Sequence, residues 1–172
     1  GIIGEIGSSK DGLTKYEKKV FRAAALAQKK TGASIYTHTT LGKNGEEQIE
    51  FLRKNGADLS RVIVGHVDLQ PDMTYYLRLL ETGCILGFDT IGKESYLSDE
   101  IRIKMLVELI EKGFEAQIVL STDVSRKAYL KKYGGKSFEH IFVFLNKLKE
   151  QGVSQEIIEM MMINNPKRLL DF

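Results

Sequence analysis

Short runs rich in Ile and Val, apolar without alternation, recur along the chain, and each is followed by a segment of helical period. "GIIGEI" precedes a helix predicted over 14–30, "ASIYTH" one over 46–55, and "RVIVGH" one over 72–82. "CILGFD" precedes 98–112, "AQIVLSTD" precedes 137–151, and a last helical stretch begins at 154. A strand with one wet face would alternate apolar and polar residues, so unbroken apolar runs predict parallel strands covered on both faces. The helix ends carry their own signals. "KKTGA", "RKNGA", "LETGC", "IEKGF" and "KEQGV" each place Gly where a left-handed cap would close the helix, and Ser98 or Asp99 and Ser154 stand where N-caps are expected. Strand and helix in strict alternation predict a parallel sheet with right-handed crossovers.

Two architectures satisfy that pattern, an open doubly wound sheet and a (β/α)8 barrel. The first strand is followed by "GEIGSSKDG", which has neither the G-x-G-x-x-G nor the Walker spacing of a phosphate loop, and this disfavours an open-sheet nucleotide-binding module. The barrel is favoured by polar residues at the C-terminal ends of the strands, where such folds place their sites. The 172 residues, 42% of them hydrophobic, suffice for one domain with a real core. The 25 basic and 23 acidic residues leave a formal charge of +2 and form no basic block, so nucleic acid is not an expected partner. Cys84 is the single cysteine and lies in an apolar run, which predicts a buried, reduced thiol. With neither a membrane span nor a signal peptide evident, the expectation is a soluble cytoplasmic protein that does not engage a membrane.

The strand ends offer Glu5, His38, His66, Asp89 and Asp123, and two of the chain's three histidines are among them. A buried His at a strand end can be an ordinary hydrogen-bonded core residue, and strand-end Asp is often the N-cap of the next helix, as is expected for Asp68 or Asp72. Glu5 is harder to explain away, because a carboxylate within a central strand is costly unless it is paired or metal-bound. Imidazoles and carboxylates converging on one rim make a mixed nitrogen and oxygen donor set suited to Zn²⁺ or a similar divalent ion, which can activate water. In the loops after the last two strands, Lys93, Arg126 and Tyr129 could form an anion pocket, with Arg126 as a bidentate fork and Lys93 as a point charge; the alternative is a solvated surface. Lys127, Lys131 and Lys132 read as ordinary helix or loop charge.

"GIIGEIGSS", "IYTHT", "VIVGHVD", "GFDTIGKESY", "LSTDVSRKAY" and the closing "INNPKRLLDF" resemble the phosphotriesterase family of the amidohydrolase superfamily, in its branch of phosphotriesterase homology proteins. The resemblance implies a TIM (β/α)8 barrel with two divalent metal ions, usually zinc. It puts Glu5 in the place of the bridging ligand on strand four, a carboxylated lysine in many relatives, and His38 and His66 in the places of the strand-five and strand-six ligands. Asp123 matches the strand-eight aspartate, a metal ligand that accepts a proton from the bridging hydroxide as it attacks. Some members hydrolyse lactones of phosphorylated sugars and hold the phosphate with a Lys, an Arg and a Tyr, to which Lys93, Arg126 and Tyr129 correspond.

The implied function is a metal-dependent hydrolase of a small-molecule substrate: a lactone, with a phosphorylated sugar lactone as the candidate, or a phosphoester. The alternatives are an N-acyl amide hydrolase of the same family, or an inactive barrel fragment acting as a binding or structural protein. Family members begin with an H-x-H pair on strand one, which this chain lacks. His140, on a late predicted helix, is no replacement. The expectation is therefore that residues 1–172 supply strands four to eight and their helices, and that the chain alone binds metal weakly and is inactive. A homodimer is compatible with the resemblance.

Overall fold

The computed structural model describes residues 1–171; Phe172, which ends the closing motif, lies outside the described residues. Five strands, β1 (Ile2–Ser8), β2 (Ser34–Thr39), β3 (Val62–Gly65), β4 (Ile85–Phe88) and β5 (Ile118–Leu120), form one parallel sheet in the order β1-β2-β3-β4-β5. The order never reverses, so there is no switch point of the kind that defines a doubly wound sheet. Ile35 pairs with Val62, Ile63 with Ile85, and Leu86 with Ile118, which brings all the strand C-termini to one end of the sheet.

The helices are α1 (Lys15–Thr31), α2 (Gly45–Lys54), α3 (Met73–Leu80), α4 (Asp99–Glu111) and α5 (His140–Glu150). Their apolar stripes, including Phe21, Leu52, Leu79, Leu106 and Phe144, pack with Ile35, Val62, Val64, Leu86, Phe88 and Ile118 in one large core. The side chains that alternate with these, Ile63, Ile85 and Val119, form a smaller cluster with Tyr36 on the opposite face. Helices layered on one face of a sequentially ordered parallel sheet are the winding of a barrel wall.

The capping signals are met. Thr14 closes a capping box with Glu17, Asp72 accepts from Tyr75 N–H (3.2 Å), Ser98 from Ile101 N–H (3.4 Å) and Ser154 from Ile157 N–H (3.3 Å). The five glycines expected to close helices, Gly32, Gly56, Gly83, Gly113 and Gly152, all have positive φ. One expectation needs correction and one needs detail. The helix predicted from 137 begins at His140, because the Ser137 N–H is taken by the Tyr129 carbonyl (2.7 Å) and Ser137 itself has φ 58°. The last stretch is helical from 155 as expected, but its middle is not α-helical. It runs as α6 (Gln155–Glu159), a π-helical turn (Met160–Asn164) and α7 (Asn165–Leu170). Pro166, in the first turn of α7, has no N–H to donate and its ring crowds the preceding turn, which favours the widened geometry. Asn165 then anchors α7 to β5 through the Glu115 and Ile118 carbonyls (both 2.8 Å), and Leu169 is laid onto the smaller cluster.

Candidate metal centre

Glu5 lies within β1, His38 within β2, and His66 immediately after β3. Parallel register carries all three to the same end of the sheet. Gln48, buried on α2, donates to Ser8 Oγ (2.7 Å) and to the His38 carbonyl (2.9 Å), which fixes the ends of β1 and β2 relative to each other. His66 adopts left-handed backbone (φ 62°), a conformation that costs a β-substituted residue free energy and persists where surrounding bonds over-determine it. Here its N–H donates to Asp89 Oδ1 (2.9 Å).

Glu5 Oε1 stands 3.0 Å from His66 Nε2 and 3.5 Å from His38 Nδ1. The two imidazoles meet edge to face, with ring centroids 4.6 Å apart. One ligand atom from each of Glu5, His38 and His66 lies within 4.8 Å of the others, so three of the four metal ligands expected from the sequence converge, and Asp123 is not in this cluster. Among the described residues Glu5 has no Lys or Arg partner; its only ion-pair partners are these imidazoles. One carboxylate oxygen and two imidazole nitrogens around a common point, with no protein cation in the way, fit a divalent transition metal.

Asp89 is not part of that cluster. Its Oδ1 lies 2.7 Å from His66 Nδ1 behind the ring, an outer carboxylate that turns Nε2 toward Glu5. Asp123 reaches the same cleft with φ 40°, and its carboxylate is paired with the Lys93 ammonium, which in turn lies over the Tyr129 ring at 4.5 Å from the centroid. Arg126 is exposed and forms no ion pair among the described residues. Glu5, His38, His66, Lys93, Asp123, Arg126 and Tyr129 all line one cleft of about 280 Å³ at the strand ends.

Asp72 has the capping role expected of it, but Asp68 does not. Asp68 is fully buried, accepts from Thr90 Oγ1 (2.5 Å) and pairs with Arg102 Nε (2.7 Å). Arg102 also bonds Asp99 Oδ1 (3.1 Å), Thr90 Oγ1 (2.8 Å) and the Leu97 carbonyl (2.5 Å). His140 joins this knot through Asp99 Oδ2 (2.7 Å). Burial alone would raise the Asp99 carboxyl, but the Gly92 N–H, His140 and Arg102 hold it below the usual carboxylate range. Glu94, Asp99 and His140 also satisfy a metal-like spacing. Lys136 and Arg102 already neutralise those carboxylates, which makes that group an ion-pair knot.

Burial alone would lower the His66 pKa, but the bond to Asp89 and the charges of Asp89, Glu5 and Asp123 raise it to about 9 from 6.5. A group raised on folding contributes stability that is complete below its unfolded value and is lost as pH climbs through the folded one. Chelator-treated protein should therefore lose roughly 1–3 kcal/mol of unfolding free energy at this site between pH 6.5 and 9. Denaturant titrations at the two ends of that range test this, and His66→Gln should flatten the dependence.

A sequentially wound parallel sheet with imidazole and carboxylate donors at its C-terminal rim defines a barrel-type α/β protein with a candidate metal centre. The phosphotriesterase family model matches residues 1–170, and the chain belongs to that family. The crystal structure of phosphotriesterase homology protein from Escherichia coli, complexed with phosphate in its active site, aligns with a TM-score of 0.96 at 42% identity, covering 99% of this chain and 59% of that one. A lactonase from Listeria monocytogenes aligns with a TM-score of 0.91 at 33% identity, covering 97% and 53%. The N-acetyltaurine hydrolase of Dictyostelium discoideum is 42% identical over 183 residues, 99% of this chain and 49% of that protein. The chain spans about half the length of the curated relatives it matches. No helix among the described residues is long and apolar enough to cross a membrane.

Proposed function

We propose that this chain carries the metal-binding and anion-binding rim of a metal-dependent hydrolase whose substrate is a lactone, with a phosphorylated sugar lactone as the candidate. The observation that carries the reading is the convergence of Glu5, His38 and His66 on one point. A divalent metal held there, with zinc the expected ion and a pair of ions the expected complement, would activate water and polarise the scissile carbonyl or phosphoryl oxygen. Glu5 would serve as the shared carboxylate, since its two oxygens can reach two cations. Asp123, across the cleft, would complete the ligands on exchanging its Lys93 partner for the metal, which frees Lys93 for the substrate anion, and would accept the proton that the attacking water gives up.

The substrate side follows from the same cleft. Arg126 is uncommitted and Lys93 is stacked on Tyr129, so a cationic fork and a point charge flank the rim. A phosphate would suit them. So would the sulfonate of an N-acyltaurine, and the amide hydrolase among the relatives makes that the second reading. Both substrates place an anion beside a carbonyl, so the anion pocket serves either. Arg126→Met is expected to raise KM by about 10-fold or more for the anionic substrate while leaving kcat within about twofold, as for loss of uniform binding. Steady-state kinetics on a phosphorylated lactone and on N-acetyltaurine check this, and unchanged KM on both would remove the pocket.

The sequential strand order, together with the half-length match to relatives, supports reading the five strands as the fourth to eighth of an eight-stranded barrel. On that reading residues 1–172 alone hold metal weakly and are inactive. Zinc content and hydrolysis of the isolated chain test it, and full activity with two metals bound would refute it.

A further inference from the structure

We propose that Tyr36 is a positioning residue for the metal centre: its hydroxyl, reaching from β2 across β3 to the loop after β4, holds Asp89 against His66 and so keeps the metal-facing nitrogen of His66 turned toward Glu5. The inference rests on the metal-centre reading above. Tyr36 Oη donates to Asp89 Oδ2 (2.5 Å), while Asp89 Oδ1 accepts from the His66 N–H (2.9 Å) and lies 2.7 Å from Nδ1. With both oxygens engaged, the carboxylate cannot rotate, and an imidazole held at Nδ1 by a fixed carboxylate presents Nε2 outward. Burial, and then the charge of Asp89, push the Tyr36 phenol well above its ordinary pKa, so the hydroxyl keeps the proton it donates.

The path of the ring is built into two strands. A Cβ on Gly65 of β3 would stand 2.7 Å from Tyr36 Cε1, and one on Gly87 of β4 would stand 2.8 Å from Tyr36 Oη. Each would also stand 3.1 Å from Asp89 Oδ2. Any side chain at either glycine would therefore collide with the tyrosine or with its acceptor. A tyrosine that merely filled the cluster with Ile63, Ile85 and Val119 would need its ring there but not its hydroxyl.

The test separates ring from hydroxyl. In the intact protein, Tyr36→Phe should weaken zinc binding, measured by chelator competition, by about 10- to 100-fold, the range typical of outer carboxylate partners. Gly87→Ala should reproduce the loss with Tyr36 still present. In an Asp89→Ala background Tyr36→Phe should change zinc affinity less than about twofold, because the hydroxyl acts only through that carboxylate. A readout that needs no metal is the ¹⁵N spectrum of His66 in zinc-free protein, followed with rising pH until the two ring nitrogens report a neutral imidazole. Wild type should show Nδ1–H, and Tyr36→Phe should shift the population toward Nε2–H. Zinc affinity within twofold of wild type in Tyr36→Phe, or an equal loss with and without Asp89, overturns the proposal. If wild-type protein takes up no zinc, the metal-centre reading falls, and the tautomer alone decides whether Tyr36 orients His66.

Discussion

In the intact protein, a Glu5→Gln variant is expected to lose at least about 100-fold in zinc affinity and a comparable factor in kcat/KM, because even outer-shell partners of a metal cost 10- to 100-fold. The substitution preserves size, removes the charge and replaces one acceptor oxygen with an NH2 donor. Glu5 supplies the single anionic donor in the group with His38 and His66, and nothing else within that group can replace it. The side chain is 45% exposed and its close partners are the imidazoles of the buried His66 and the half-exposed His38, so the unfolding free energy of the metal-free protein should change by no more than about 1 kcal/mol. That contrast between a large metal defect and an intact fold is what distinguishes a ligand from a structural residue. Metal content after dialysis, read beside a denaturation curve, reports both.

Arg102 gives the opposite pattern. Arg102→Met is expected to cost about 3–5 kcal/mol of stability, the cost of breaking a buried ion pair from one side. Arg102 is fully buried between Asp68 and Asp99, at 0%, 0% and 2% exposure, and Asp68 Oδ1 has no hydrogen-bond partner among the described residues. Without the guanidinium, two carboxylates would be left in the interior, and burial already pushes the Asp68 carboxyl above its usual range. Arg102→Lys should recover only part of the loss, because one ammonium cannot reproduce bonds to Asp68, Asp99, Thr90 and the Leu97 carbonyl at once. Neutralising both acids in Arg102→Met/Asp68→Asn/Asp99→Asn should restore stability in part. The knot joins the loop that follows His66 to the loop that carries Lys93, so some activity should be lost together with stability.

The sheet was legible because parallel strands buried on both faces leave an unmistakable trace, unbroken apolar runs punctuated by helix caps, and each capping glycine expected from the sequence adopts positive φ. The candidate ligands were legible as polar residues ending apolar strands, but the burial cost expected of Glu5 in a central strand does not hold, because β1 is the edge strand of the described sheet and the Glu5 side chain is 45% exposed. What sequence missed was carried by contacts between distant positions. Tyr36 looks like any β-forming aromatic, and only the absent side chains at Gly65 and Gly87 show the slot it crosses. Asp68 sits where an N-cap is common, and its true partner, Arg102, is 34 residues away on the face of a helix that would otherwise be read as solvent-exposed. The start of α5 and the π-turn before Pro166 depend on competition for backbone donors, which a periodicity argument does not see.

The most direct measurement is anomalous diffraction from crystals of the zinc-loaded protein. The account predicts a zinc peak within about 2.0–2.2 Å of Glu5 oxygen and of nitrogen from His38 and His66. A zinc-loaded crystal with those three side chains unliganded, or with its metal at Glu94, Asp99 and His140 instead, would contradict it.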